Sequence, residues 1–200
     1  MTRFLPGIIA MAAIVAASNV LVQFTVGDWL TWGAFTYPIA FLVTDVMNRV
    51  YGAQAARRVV LAGFVAGVAC SLVAAGLQAT TLRIAVASGT AFLVAQMADV
   101  VVFDALRDGR WWRAPLASTL VGSALDTALF FGIAFSAVLP ADANTGWANE
   151  AVPLLGQGPV GALWVSLALA DWLVKLSLAL LALVPFRMIV RNLLRGRAEC

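Results

Sequence analysis

TWGAFTYPIAFLVTDVMNRVYGAQAARR, residues 31–58, decides how the rest of the chain is read. Its middle is apolar enough to sit in a bilayer, yet Asp45 lies well inside the apolar run and Pro38 precedes it by about two turns. The stretch ends in Arg49, Arg57 and Arg58. A charge inside a membrane span costs about 3 kcal/mol on insertion scales, so Asp45 is expected to have a purpose. Pro38 removes one helical hydrogen bond and Gly33 weakens the same region, so this span is expected to be kinked or discontinuous. Backbone groups freed there are tolerated only against protein or a cavity.

The surrounding chain agrees with a membrane reading. Of its 200 residues 62% are hydrophobic and 12% charged, against about 45–50% and about 25% in ordinary globular domains. The mean hydropathy is +0.94. A helical span takes about 20 residues, so the length suits six spans in a single domain, residues 1–200. The expected fold is an all-α membrane protein with spans near 4–22, 30–50, 55–77, 84–106, 115–139 and 160–186. The first of these, with Arg3 before it, could also describe a cleaved signal peptide, but five further spans already require insertion. With six spans, Arg3, Arg49, Arg57, Arg58, Arg107, Arg110, Arg113, Arg187, Arg191, Arg195 and Arg197 fall on one side and Arg83 alone on the other. The positive-inside rule then puts both termini in the cytoplasm. The net charge of +3 therefore tracks the membrane and gives no nucleic-acid signal. Trp111 and Trp112 fit an interfacial belt.

Four carboxylates are embedded, Asp45, Asp99, Asp126 and Asp171, with one cation, Lys175. Asp171 and Lys175 stand four apart, acid before base, and suit an ion pair on one helix face with a structural or gating role. Gln96 and Asp99 share a face. Thr119, Ser123 and Asp126–Thr127 form a polar stripe, which should face protein or water. Asn19 and Gln23 add amides near the end of the first span; Trp32, Phe35 and Tyr37 add aromatic faces. Carboxylates with amides, hydroxyls and aromatics suit a planar heterocycle, because a carboxylate accepts two parallel hydrogen bonds from adjacent ring N–H and amino groups. Arg83, a bound cation or a proton are the other ways to neutralise the acids. Asp104 reads as a partner of arginines.

Gly63 and Gly67 allow a close helix approach, within the monomer or as a homodimer face. Cys70 and Cys200 are expected at different depths, so no disulfide is predicted. The chain has no histidine. That excludes histidine-based metal sites and catalytic triads, and with no nucleophile–base pair or phosphate loop in sight the chain does not read as an enzyme. No metal or cofactor is implied. The loop 140–159 carries Asp142 and Glu150 with several glycines and prolines, and reads as an exposed connection. AFLVTDV (40–46) and AFLVAQMADV (91–100) echo each other too loosely to support a repeat.

These residues in order closely resemble the queuosine-precursor transporter family of bacteria, the VUT family. The resemblance rests on Ser18-Asn19, Thr31 to Pro38, Thr44-Asp45, Arg49 to Gly52, Gln96-x-x-Asp99, Arg110-Trp-Trp, Ala114-Pro115, Asp126-Thr127 and Asp171-Trp-x-x-Lys175. It covers nearly the whole chain except the loop 141–159. It implies a multi-pass protein of the bacterial inner membrane that imports 7-cyano-7-deazaguanine and 7-aminomethyl-7-deazaguanine for queuosine salvage in tRNA modification. Asn19, Phe35, Asp45, Gln96, Asp99, Thr119, Ser123 and Asp126 are then the expected substrate-binding residues. The alternative is the substrate-binding membrane subunit of an ATP-driven, energy-coupling-factor type importer of a vitamin or nucleobase.

Overall fold

The computed structural model describes residues 4–22, 24–77, 79–139 and 145–198; Arg3, Gln23, Asp142 and Cys200 lie outside the described residues. The chain is a bundle of α1 (Leu5–Leu21), α2 (Gly33–Thr36), α3 (Ile39–Tyr51), α4 (Ala53–Gly76), α5 (Leu82–Leu106), α6 (Arg113–Phe135) and α7 (Leu163–Ala198). Two small hairpins interrupt it, β1 (Thr25–Val26) with β2 (Leu30–Thr31), and β3 (Ala151–Pro153) with β4 (Val160–Ala162). The loop expected to be a plain connection thus holds a hairpin with Pro153 opposite Val160, and the last helix starts three residues later than its predicted span.

Four helices, α4 to α7, are long and apolar enough to cross a membrane. The sequence predicts six such spans. The first, α1, is apolar but has 17 residues, short of the usual ~20, and the second is divided. Apolar side chains cover the outside: Leu72 is 66% and Leu77 75% exposed on α4, and Leu181 is 66% exposed on α7. Water would not tolerate such a surface, whereas acyl chains cover it without cost. At 36 residues α7 is about 54 Å long, well beyond a hydrocarbon core of about 30 Å. Its excess carries Arg187, Arg191 and Arg195, so the basic tail continues the helix.

The divided span answers to Pro38. Its missing N–H leaves the carbonyl one turn back without its usual donor. The chain keeps right-handed helical angles through Tyr37 and Pro38, but tightens: Ala40 N donates to Tyr37 O and Phe41 N to Pro38 O, at 3.0 and 3.2 Å. The result is a kink bridged by a 3₁₀ turn. At the other end of α3, Gly52 has φ 90°, which a residue with a side chain adopts only under strain, and so α3 turns directly into α4.

Packing orders the bundle. The α5–α6 hairpin is its most extensive contact, α1 lies on α4, and α3 is enclosed by α4, α5 and α7. A side-chain Cβ at Gly63 would stand 2.5 Å from Met11 Cγ, and one at Gly67 3.1 Å from Val15. The Gly63–Gly67 face is therefore filled by α1 of the same chain. The close approach expected at these glycines is thus made within the chain, and a homodimer through this face is not shown.

The two ends of the bundle differ in charge. At one, Arg49 Nη1 donates to Arg107 O and Arg107 Nη2 to Asn48 O, at 2.5 and 2.7 Å. There Arg187 also lies 4.6 Å from the Trp111 ring centre, and Asp104 pairs with Arg107 at 3.0 Å. At the other end Arg83 donates to the carbonyls of Ile133 and Ser136, at 2.7 and 2.6 Å. It thereby satisfies the last carbonyls of α6, which a helix terminus otherwise leaves open. These contacts are to carbonyls, so neutralising the embedded aspartates is not their work.

Candidate functional site

A cavity of about 550 Å³ opens at the Arg83 end of the bundle, within the range of about 300–1,000 Å³ typical of ligand pockets. Its mouth is formed by the β1–β2 turn (Gly27, Asp28, Trp29), by Ala79 and Thr80 before α5, and by Trp147. Aromatic and aliphatic side chains form its walls, among them Phe130, Phe131, Phe135 and Leu167. Ser18, Asn19 and Ser88 supply scattered polar groups.

Its floor holds Asp126, Asp171, Lys175 and Tyr37. Lys175 Nζ lies 2.7 Å from Asp126 Oδ2 and 2.5 Å from Asp171 Oδ2, and donates to Thr127 Oγ1 at 3.1 Å. Thr127 in turn donates to Asp171 Oδ2 at 2.9 Å. The Tyr37 ring centre is 5.8 Å from Nζ, and its phenol lies beside the Asp126 carboxyl. The pair expected on α7 is thus a three-member group reaching across to α6. Ionised, it has two negative charges and one positive, hence a net charge of −1. The hydrogen bonds from Lys175 and Thr127 to its carboxylates land on Oδ2, which leaves acceptor capacity for a donor in the cavity.

Five of the predicted residues lie elsewhere. Asp45, Gln96, Asp99, Thr119 and Ser123 are buried among α3, α5 and α6, and none borders the large cavity. Ser118 and Thr119 donate to Asp45 Oδ1 and Oδ2 at 3.0 and 3.3 Å. Thr44 meets Gln96 Oε1 at 2.5 Å. Asp99 lies beside Asp45, is 0% exposed, and neither of its oxygens makes a hydrogen bond. Gln96 Nε2 is likewise unpartnered. Among the described residues no ion pair reaches Asp45 or Asp99; Arg49, one turn after Asp45, is turned to a carbonyl instead. A void of about 20 Å³ adjoins Asp45 and Thr119, closed on the α7 side by Ala179, Ala182 and Phe186. Tyr37 borders the large cavity and Pro38 the small void, so the kink stands between the two.

Of the remaining predicted residues, Asn19 borders the large cavity, with Nδ2 donating to Val15 O at 2.9 Å. Phe35 is half-buried outside it, 5.9 Å from the Trp32 ring. Sequence reasoning left out Phe130 and named Tyr37 only among the aromatic faces, not with the substrate-binding residues. Phe130 had a signal, since it follows Asp126 by one turn on the same face. Trp29 and Trp147 had none, because loops bring them to the mouth.

Residues 31–190 match the family described as "Putative vitamin uptake transporter". The chain is 33% identical over 203 aligned positions to a protein of Escherichia coli (strain K12) named "Queuosine precursor transporter", covering 92% of this chain and 84% of that one. It is 31% identical to a "Probable queuosine precursor transporter" of Haemophilus influenzae, over 84% of this chain and 72% of that one. A Bacillus subtilis protein of the same description is 27% identical, over 76% of this chain and 68% of that one. No solved structure gives a significant match.

Proposed function

The chain belongs to the vitamin uptake transporter (VUT) family, and on that footing we propose that it imports queuosine precursors, 7-cyano-7-deazaguanine and 7-aminomethyl-7-deazaguanine, across the bacterial inner membrane by a carrier mechanism. The observation that supports this most is the cavity floor. An aromatic-walled cleft with a net negative floor suits a flat base with donors on one edge: Asp126 accepts two parallel hydrogen bonds from the amino and ring N–H groups, and Asp171 accepts one through Oδ1. Phe130 and Tyr37 offer stacking faces. An aminomethyl substituent, protonated, would answer the surplus negative charge. Asn19 adds an amide carbonyl to the lining.

In this reading the chain crosses the membrane six times, with α1 and the α2–α3 pair as the shorter spans, and both termini are cytoplasmic. The arginine-rich end is then the inner one, and the cavity opens outward. Import requires closure at Trp29, Thr80 and Trp147 and opening on the other side. The Tyr37–Pro38 joint is the natural hinge, because proline removes one helical hydrogen bond there and so eases a change of angle. The protein moves its substrate without altering it.

Binding of the two 7-deazaguanines, guanine and adenine to the detergent-solubilised protein tests this. The deazaguanines should bind and compete with one another, and adenine should not compete. Absence of deazaguanine binding by a monodisperse protein would overturn the reading.

A further inference from the structure

The five buried residues that miss the large cavity form a second polar site, and its charges do not balance. Asp45 and Asp99 are side by side, and both are buried. Asp45 receives the Ser118 and Thr119 hydroxyls. Among the described residues no hydrogen bond of good geometry reaches Asp99, although the Ser118 hydroxyl is close by and its own helix supplies an equally unpartnered Gln96 amide one turn away. Among the described residues the neighbouring elements offer no cation. On α7 the facing residues are Leu178, Ala179, Ala182, Leu183 and Phe186. On α4 they are Val59 and Val60, packed with Met47. At the bundle end Arg107 is spent on Asn48 and Asp104, and Arg49 on a carbonyl.

Two like charges in an apolar surrounding repel each other, and each has lost its water. Such a pair is held in place only by a counter-charge, and no described residue forms an ion pair with it. The void of about 20 Å³ on the Asp45 and Thr119 side of the pair, which Asp99 does not border, exceeds the ~10–15 Å³ that one water or similar small species occupies. We propose that Asp45 and Asp99 form a binding site for one monovalent cation, a proton or a sodium ion, whose occupancy is linked to the state of the outer cavity through the Tyr37–Pro38 joint. A proton would bridge the two carboxyl groups. A sodium ion would take carboxylate oxygens with the Thr119 hydroxyl. Either leaves the pair with one net charge fewer, and Asp45 sits on α3 directly below the kink whose other side borders the base cavity. The link to transport rests on the function proposed above; the cation site itself does not.

Two experiments separate these. Purified protein in detergent at neutral pH is examined by infrared spectroscopy for a carboxylic-acid carbonyl band and by binding of radioactive sodium. We expect one of the two signals, and its loss in Asp99→Asn. Absence of both in the wild type would overturn the site, whatever the transport result. Proteoliposomes then take up labelled 7-cyano-7-deazaguanine under an inward proton gradient without sodium, or under a sodium gradient at equal pH. We expect accumulation above equilibrium under the gradient of the bound cation. In Asp99→Asn, accumulation should fall to the undriven level while exchange of internal for external base continues. Wild-type exchange without accumulation under either gradient would overturn the linkage, as would accumulation by Asp99→Asn equal to wild type. No exchange at all would count against the transport reading instead. Should Asp99→Asn not fold, Asp45→Asn serves the same comparison.

Discussion

Lys175 carries one positive charge between two carboxylates, and it reaches both because α7 turns it toward α6. Removing one partner from a buried ion group is costly, since it strands the others without water or a counter-charge. Lys175→Ala should therefore destabilise the protein by about 3–5 kcal/mol, measured as a lowered denaturation midpoint in detergent. Adding Asp126→Asn and Asp171→Asn to it should recover much of that loss without restoring uptake, because the charges that needed Lys175 are gone together with the acceptor for the base. Asp126→Asn alone should abolish deazaguanine binding at unchanged protein level, read by equilibrium binding. Binding that persists would remove Asp126 from the base site. The i, i+4 spacing of Asp171 and Lys175 made their pairing legible in the sequence. The third member was not, because Asp126 lies 49 residues away from Lys175, and nothing along either helix says which face meets which.

Gly122 lets α6 pack closely on α5. A Cβ there would stand 2.7 Å from Phe41 Cε1 and 3.2 Å from Ala95 O. The carbonyl cannot yield without moving α5, so Gly122→Val should cost about 1–3 kcal/mol as overpacking. Gly132, with nothing within 4 Å, is the control: Gly132→Ala should be neutral or gain up to about 1 kcal/mol in the same denaturation assay. The same crossing sets the spacing around Asp99, whose Cβ is 3.3 Å from that position, so Gly122→Val should also disturb the second site. The kink belongs here too. Pro38→Ala restores a backbone donor and lets α2 and α3 run on as one helix. Stability should hold or rise while uptake falls, and uptake equal to wild type would exclude the kink as a hinge.

Across the molecule, charge and apolar surface divide the bundle into an arginine-rich end, a lipid-facing belt and an end that holds the cavity mouth. In a background with Cys70 and Cys200 replaced by serine, Thr80→Cys should react with a membrane-impermeant maleimide added to spheroplasts. Saturating base should slow that reaction. Asp108→Cys, in the exposed turn after α5, should react only after permeabilisation. The reverse pattern would invert the orientation and make the cavity inward-facing.

The broad architecture was legible because its determinants are local. Apolar runs, the break at Pro38 and the clustering of arginines act over neighbouring residues or over whole loops. The stripe Thr119–Ser123–Asp126 was legible too, as residues recurring on one helical face. Its division was not. Thr119 and Asp126 are about 10 Å apart along the axis, and at those two depths α6 meets different partners, Asp45 on α3 and Lys175 on α7. The same holds for the weak echo between 40–46 and 91–100, whose Thr44 and Gln96 touch across α3 and α5. Hydropathy states that a carboxylate is buried. Which hollow it borders depends on how each helix is rotated and set in depth against its neighbours, and those two quantities exist only once the helices have packed.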